Sequence, residues 1–209
     1  MLSRVPRIPA DERRRELADA ALRVMARDGV AATTTRAIVT EAGMSLSAFH
    51  YCFRSKNELL GGLTDTVVAK ASAAALATLR PGTDVRRALR KGMRAYWALV
   101  EAEPAEHQLT YELTQYATRT PGLEDLPRRQ YESYFAAATE VLETLADTAG
   151  VRWAVPVPTL ARMLVTVLDG LTLGWLADRN SAQALAVLDG FADQVASYAR
   201  PRVRRARAS

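Results

Sequence analysis

The sequence is poor in the residues that metal binding and thiol chemistry need. It contains one cysteine, Cys52, and two histidines, His50 and His107, among 209 residues. A single cysteine excludes an intramolecular disulfide. One cysteine and two histidines also cannot form the spaced set of ligands that a zinc site needs. His107 follows Glu103 by four positions and Glu106 by one, but no further ligand group accompanies them, so we interpret His107 as a surface residue. We therefore expect a reducing compartment and no bound metal.

Catalytic and membrane signatures are also missing. The chain has no GxSxG nucleophile motif, no GxxxxGK[S/T] phosphate loop and no HExxH zinc motif. Its first ten residues, MLSRVPRIPA, contain no apolar segment of the kind found in secretory signals. The longest apolar run, residues 160–177, carries Arg162 and Asp169, and such charges are costly in a bilayer. We expect a cytoplasmic protein that is neither an enzyme nor membrane-bound and that uses no cofactor.

Acidic residues are absent from the last ten positions, which contain five arginines. These are Arg200, Arg202, Arg204, Arg205 and Arg207. The rest of the chain holds 28 minus 5, or 23, basic residues against 23 acidic ones, so the net charge of +5 belongs to this end. We predict that residues 200–209 form a disordered basic tail, which either attracts phosphates nonspecifically or only keeps the chain soluble.

Strand patterns are absent from the sequence, whereas helical periodicity runs through it. Glycine, proline and capping residues divide the chain into about nine helical segments, so the predicted fold class is all-α. The first segment runs from Asp11 to Gly29, two short ones flank Gly43, and a long one follows from Lys56 to about Leu79. The remaining segments are roughly 83–103, 105–119, 127–149, 157–178 and 181–199.

Residues 41–53, EAGMSLSAFHYCF, predict a helix-turn-helix. Gly43 supplies the backbone freedom for a tight turn, and Ser45 can cap the second short helix. At about 100° per residue, that helix has an inward and an outward face. The inward face holds Phe49, Cys52 and Phe53. The outward face holds Ser47, His50 and Tyr51. Buried aromatic rings would fix the angle of the helix while its polar face approaches base edges in a major groove.

The run TTTRAIVTEAGMSLSAFHYCFRSKNELL, preceded by ARDGVAA, resembles the DNA-binding domain of the TetR family of bacterial transcriptional regulators. The matching positions are Gly29, the threonine cluster, Ile38, Ala42, Gly43, Ser45, Phe49, Phe53, Ser55, Lys56, Leu59 and Leu60, and the resemblance covers about residues 11–62. It implies a homodimeric repressor that a small-molecule ligand releases from a palindromic double-stranded DNA operator. It also implies a three-helix DNA-binding domain over residues 1–54 and a helical effector-binding and dimerisation domain over residues 55–199.

The resemblance implies nine DNA-facing residues. They are Thr34, Thr35, Arg36, Ser45, Ser47, Ala48, His50, Tyr51 and Lys56. Ser47 and Tyr51 are the best candidates for reading bases, and Lys56 is a mobile cation suited to a phosphate. Capping alone is an equally good interpretation of any single threonine. For Leu46, a thymine methyl contact and a partly buried packing role are both open.

The resemblance further implies an effector pocket in the larger part of the chain. Its candidate residues are Met93, Tyr96, Trp97, Tyr111, Tyr116, Tyr134 and Trp175. They predict a small apolar or aromatic effector, although aromatic side chains at helical spacing also fit an ordinary core.

Two apolar stripes near the C-terminus have two interpretations. The first stripe includes Leu160, Leu164, Leu171 and Trp175, and the second includes Leu185, Leu188, Phe191, Val195 and Tyr198. With Gly170 and Gly174 allowing close approach, they fit a four-helix interface between subunits, where the family dimerises, or a core within one chain.

A helical adaptor protein with a basic tail is the alternative to a regulator. Binding that does not depend on the DNA sequence would favour the adaptor.

Overall fold

The computed structural model describes residues 9–202, so Arg204, Arg205 and Arg207 of the predicted tail lie outside the described residues. Within that range the chain forms nine α-helices, and the all-α prediction is confirmed. The helices are α1 (Ala10–Asp28), α2 (Thr35–Glu41), α3 (Leu46–Cys52), α4 (Lys56–Leu76), α5 (Val85–Ala102), α6 (Pro104–Ala117), α7 (Asp125–Ala149), α8 (Val157–Asp178) and α9 (Ser181–Ala196).

Two short strands accompany the helices. Strand β1 (Val151–Trp153) pairs antiparallel with β2 (Ala199–Pro201), and Arg152 lies opposite Arg200 in the register. The sequence did not indicate this pair, because three residues are too few to show an alternating pattern. Strand β2 includes Arg200 and Pro201, the first two residues of the predicted tail.

The chain divides into two compact units. The first comprises residues 9–66 together with Gln108–Gln130, and the second comprises Val67–His107 together with residues 131–202. Helices α4, α6 and α7 therefore each contribute residues to both units. The functional boundary that the sequence suggested at residue 55 stays a prediction.

The core of the first unit forms around Phe49 of α3. Leu17 of α1, Ile38 of α2 and Leu60 of α4 are fully buried with it in one cluster. Burial of each such side chain contributes about 1.5–3 kcal/mol. Since α3 has only seven residues, this cluster, and not the intrinsic stability of α3, holds the helix in place.

The core of the second unit includes two tryptophans in edge-to-face contact. The rings of Trp97 on α5 and Trp175 on α8 are 5.6 Å apart, and Leu188 of α9 is buried in the same cluster. An ion pair of 2.6 Å between Arg94 and Asp189 also joins α5 to α9. Partly exposed pairs of this kind contribute at most about 1 kcal/mol. Apolar packing therefore provides most of the stability here.

Much of the two apolar stripes, for which a subunit interface and a core within one chain were both open, lies inside this chain. Leu160, Leu164, Trp175, Leu188 and Val195 are buried in the core of the second unit. For these residues, the alternative of a core within one chain is the correct one.

Two other apolar side chains, Leu173 on α8 and Val187 on α9, are 55% and 39% exposed. Helices α4 and α8 are also long and apolar enough, by length and composition alone, to cross a membrane. Only 22% and 28% of their respective apolar windows are buried in the single chain. Most of each window is therefore not buried within the single chain.

Candidate nucleic-acid interface

The threonine cluster orders the start of α2. The Thr34 hydroxyl accepts a hydrogen bond from the Ala37 amide at 3.1 Å and caps the helix. The Thr33 hydroxyl is buried and donates to the Gly29 carbonyl at 2.8 Å. Thr35 is half-buried and Arg36 is exposed. Capping therefore accounts for Thr34, and DNA contacts by Thr34, Thr35 and Arg36 stay predictions.

The turn between α2 and α3 has the geometry of a helix-turn-helix. Gly43 has a φ of +63°, in the left-handed region where a side chain is unfavourable. The Met44 amide donates to the Val39 carbonyl at 2.8 Å and closes the turn. The Ser45 hydroxyl then accepts from the Ala48 amide at 3.1 Å, so Ser45 caps α3 as predicted.

The two faces of α3 point as the sequence predicted. Phe49 and Phe53 are 0% and 5% exposed, and their ring centroids lie 5.6 Å apart. Tyr51 is 68% exposed. Ser47 and His50 are exposed as well, and Ala48 is half-buried. Leu46 is 41% exposed, so a thymine methyl contact and a partly buried packing role both stay predictions. The orientation of α3 is confirmed, and contact of these residues with DNA stays a prediction.

An arginine from α1 secures the C-terminal end of α3. The Arg14 guanidinium donates to the Cys52 carbonyl and lies 4.3 Å from the Phe53 ring centroid. It also pairs with Glu58 at 3.4 Å. A positive charge at this end complements both the unpaired carbonyls and the dipole of a helix. Sequence reasoning missed this contact, although the run of arginines at 13–15 was a visible signal.

Lys56 is an internal tether and not the mobile cation that the sequence suggested. Its Nζ donates to the Val30 carbonyl at 3.1 Å and to the Thr33 carbonyl at 2.6 Å. The same nitrogen lies 5.4 Å from the ring centroid of Tyr116, and burial lowers the pKa of Lys56. Lys56 therefore ties the segment between α1 and α2 to the start of α4. A phosphate contact by Lys56 stays a prediction.

The predicted effector residues do not all lie in one unit. Tyr111 and Tyr116 belong to the first unit. The other five belong to the second unit and are Met93, Tyr96, Trp97, Tyr134 and Trp175. Of these five, Met93, Trp97 and Trp175 are buried core residues.

The two remaining effector candidates, Tyr96 and Tyr134, lie near polar groups of the second unit. The Tyr96 and Thr172 hydroxyls are 3.0 Å apart, and the Tyr131 hydroxyl donates to Asp169 Oδ2 at 2.8 Å. We call these four residues the hydroxyl–carboxylate cluster. The Tyr134 ring lies edge-on to Tyr131 at 5.4 Å. Burial raises the pKa of both Tyr96 and Tyr131, so both keep their hydroxyl protons. The sequence indicated this cluster only through Asp169, a carboxylate within the apolar run of α8.

His107 is buried, and the prediction of a surface position was wrong. It is 7% exposed, and its ring lies edge-on to Tyr96 at 5.9 Å. Burial lowers the pKa of His107, which favours the neutral imidazole. The periodicity of apolar residues did not reveal the buried position of His107, because a histidine can lie on the inward side of a helix when its ring packs against another ring. Among residues 9–202, no group of three or more histidine, cysteine, aspartate or glutamate side chains is arranged to hold a metal.

Family models match most of the chain. Residues 17–63 match the model described as bacterial regulatory proteins, tetR family, and include all of α2 and α3. Residues 81–197 match the model described as BetI-type transcriptional repressor, C-terminal. The two matches thus cover the candidate interface and the second unit's core.

Individual proteins are similar over nearly the whole length. A nicotine-responsive HTH-type transcriptional repressor of Paenarthrobacter nicotinovorans is 29% identical over 187 residues, which are 90% of this chain and 95% of the relative. The solved structure of a transcriptional regulator from Rhodococcus sp. Rha1 is 25% identical, with a TM-score of 0.66 over 89% of this chain and 97% of that one. A TetR-family structure from Rhodococcus sp., 19% identical, shares the fold with a TM-score of 0.74 over 88% and 98% of the two chains.

Proposed function

Since this chain belongs to the TetR family of bacterial regulatory proteins and is a DNA-binding transcriptional regulator, we propose that it represses genes from a palindromic operator as a cytoplasmic homodimer. The observation that carries the proposal is the placement of α3. Phe49 and Phe53 fix the helix from behind, while Ser47 and Tyr51 face solvent. A short helix held in this way can enter a major groove with its polar face toward the bases.

A second copy of the chain is the proposed cover for α8 and α9. Leu173 and Val187 are exposed apolar side chains on these helices. Gly170, Gly174 and Gly190 have open space where a Cβ would lie, so a partner helix can approach closely. Two subunits would hold two α3 helices about 34–36 Å apart, or further by whole turns of DNA. This supports a palindromic operator.

We propose that the effector is a small aromatic amine that binds at the hydroxyl–carboxylate cluster. Asp169 supplies a carboxylate for the amine, and the rings of Tyr131 and Tyr134 supply faces that attract cations and stack on aromatic groups. The similar repressor of Paenarthrobacter nicotinovorans is described as nicotine-responsive, which supports an effector of this class.

Linkage between effector and operator binding is the proposed mechanism. Helix α4 runs from Lys56–Thr66 in the first unit into Val67–Leu76 in the second, so a shift of this helix would reach both. An effector that prefers the conformation unable to span both half-sites weakens operator binding. The operator must then weaken effector binding by the same factor.

We expect Asp169→Asn to weaken the response to an aromatic amine by about ten- to a hundredfold, the value of a hydrogen bond to a charged group. Nicotine is the probe, and the measurement is the concentration that releases half of the bound operator. Asp178→Asn, the same change at an exposed end of α8, is the control and should leave this concentration unchanged. Equal action of a neutral aromatic compound of similar size would contradict the amine assignment.

We expect Tyr51→Ala to reduce operator affinity about tenfold, within the range for a lost base contact. Affinity for random DNA should stay nearly unchanged, because base contacts and not phosphate contacts distinguish sequences. Titration of both DNAs at one salt concentration measures the ratio, and Tyr51→Phe separates the hydroxyl from the ring. Equal losses on the two DNAs would refute base reading by Tyr51. A wild-type protein that ignores sequence would favour the adaptor alternative.

A further inference from the structure

Arg13 lies against the outward side of α3, the proposed recognition helix. Its guanidinium Cζ is 5.0 Å from the ring centroid of Tyr51. Arg13 is half-buried although it carries a charge, and its Nε is buried without a hydrogen-bond partner among the described residues. A guanidinium over a tyrosine ring is an attractive cation–π arrangement. Arg13 thus gives the ring of Tyr51 a packing partner on the side of α1.

The three consecutive arginines of α1 have different surroundings. Arg14 secures the backbone end of α3 through the Cys52 carbonyl, whereas Arg13 contacts an outward side chain. Arg15 is exposed and lies about 200° around the helix from Arg13, because successive residues are about 100° apart. Only the first two arginines therefore approach α3. Arg15 provides a matched control for a change of charge on the same helix.

We propose that Arg13 is a positioning residue for operator recognition, which holds the Tyr51 ring in the orientation that α3 presents to the bases. The proposal rests on the proposed function of α3. An exposed tyrosine normally samples several rotamers and loses that freedom when it binds. The guanidinium of Arg13 orders the ring beforehand, so less entropy is lost on contact with the operator. Arg13 acts through Tyr51, and its charge is not used on a phosphate.

The test uses the full-length protein and an operator that the wild-type protein selects from random DNA. Arg13→Gln should reduce operator affinity about two- to fivefold, the range for an exposed cation–π contact. Random-DNA affinity and the slope of log affinity against log salt should be unchanged. In a Tyr51→Ala background, Arg13→Gln should have no further effect. Arg13→Lys, which keeps the cation, should restore part of the loss, and Arg15→Gln should match wild type.

Two outcomes in which Arg13→Gln does weaken operator binding would still overturn the proposal. One is an equal loss on operator and random DNA with a salt slope reduced by about one, which identifies a phosphate contact. The other is an undiminished effect of Arg13→Gln in the Tyr51→Ala background. If the wild-type protein selects no sequence, the proposed function fails as well. If it selects one and Arg13→Gln binds it as wild type does, only the positioning role fails.

A measurement without DNA separates the ring contact from DNA recognition. In protein labelled with fluorotyrosine, the fluorine resonance that disappears in Tyr51→Phe identifies Tyr51. Arg13→Gln should shift and narrow this resonance, because the ring gains rotational freedom, whereas Arg15→Gln should leave it in place. An unchanged Tyr51 resonance in Arg13→Gln would show that the ring is not held by Arg13.

Discussion

Phe49→Ala is expected to destabilise the first unit by about 3–5 kcal/mol, the usual cost of removing a large buried aromatic side chain. Phe49 has no exposed surface and lies within a cluster that includes residues of α1, α2 and α4. Its loss leaves a cavity below a helix of seven residues, which cannot persist alone. Operator binding should therefore disappear at physiological temperature.

Amide hydrogen exchange in α1–α3 measures this effect without assuming that both units unfold together. Tyr51→Ala is the matched control, since it truncates an aromatic side chain of the same helix on the exposed side. It should change stability by no more than about 1 kcal/mol, the range for loss of its exposed cation–π contact with Arg13, while still reducing operator affinity. If Phe49→Ala exchanged no faster than Tyr51→Ala, the assignment of inward and outward faces to α3 would be wrong.

Leu173→Glu is expected to convert the proposed dimer into monomers and to reduce operator affinity at least about a hundredfold. A charge on the exposed apolar surface of α8 would be buried without a partner if two copies packed there. Linked binding sites gain about 10²–10⁴ in affinity over a single site, and the monomer loses that gain. Sedimentation gives the assembly state, and titration with the operator gives the affinity.

The control for this interface is Ala98→Glu, which places the same charge at an exposed position of α5. That variant should stay dimeric and bind the operator as wild type does. If the Leu173→Glu protein remained dimeric, α8 would not be part of the proposed interface. If the wild-type protein sedimented as a monomer at all concentrations, the proposal of a dimer would be wrong.

The recognition helix was predictable from sequence because its signals are local. Gly43 and Ser45 fix the turn and the cap, and the spacing of Phe49 and Phe53 fixes which side is buried. These features depend on residues within a few positions of one another. The structure confirms all of them.

The contacts that sequence did not predict join residues far apart in the chain. Lys56 donates to carbonyls 26 and 23 residues earlier, and Arg14 reaches a carbonyl 38 residues later. Such contacts have no periodic signature. Periodicity also identifies an apolar stripe without naming what covers it. The stripes that contain Leu160 and Leu188 therefore fitted both an interface and a core, and the structure places both residues in the core.

The most direct test is selection of bound sequences from random double-stranded DNA by the full-length protein. The account predicts one enriched motif with two inverted half-sites, whose centres are separated by about one turn of DNA or a whole number of turns. Tyr51→Ala should enrich that motif less strongly, by about the tenfold loss of operator affinity expected for this variant, while retaining binding to unselected DNA. A pool that remains random after selection, although the protein binds DNA, would contradict the claim that α3 presents a sequence-reading face.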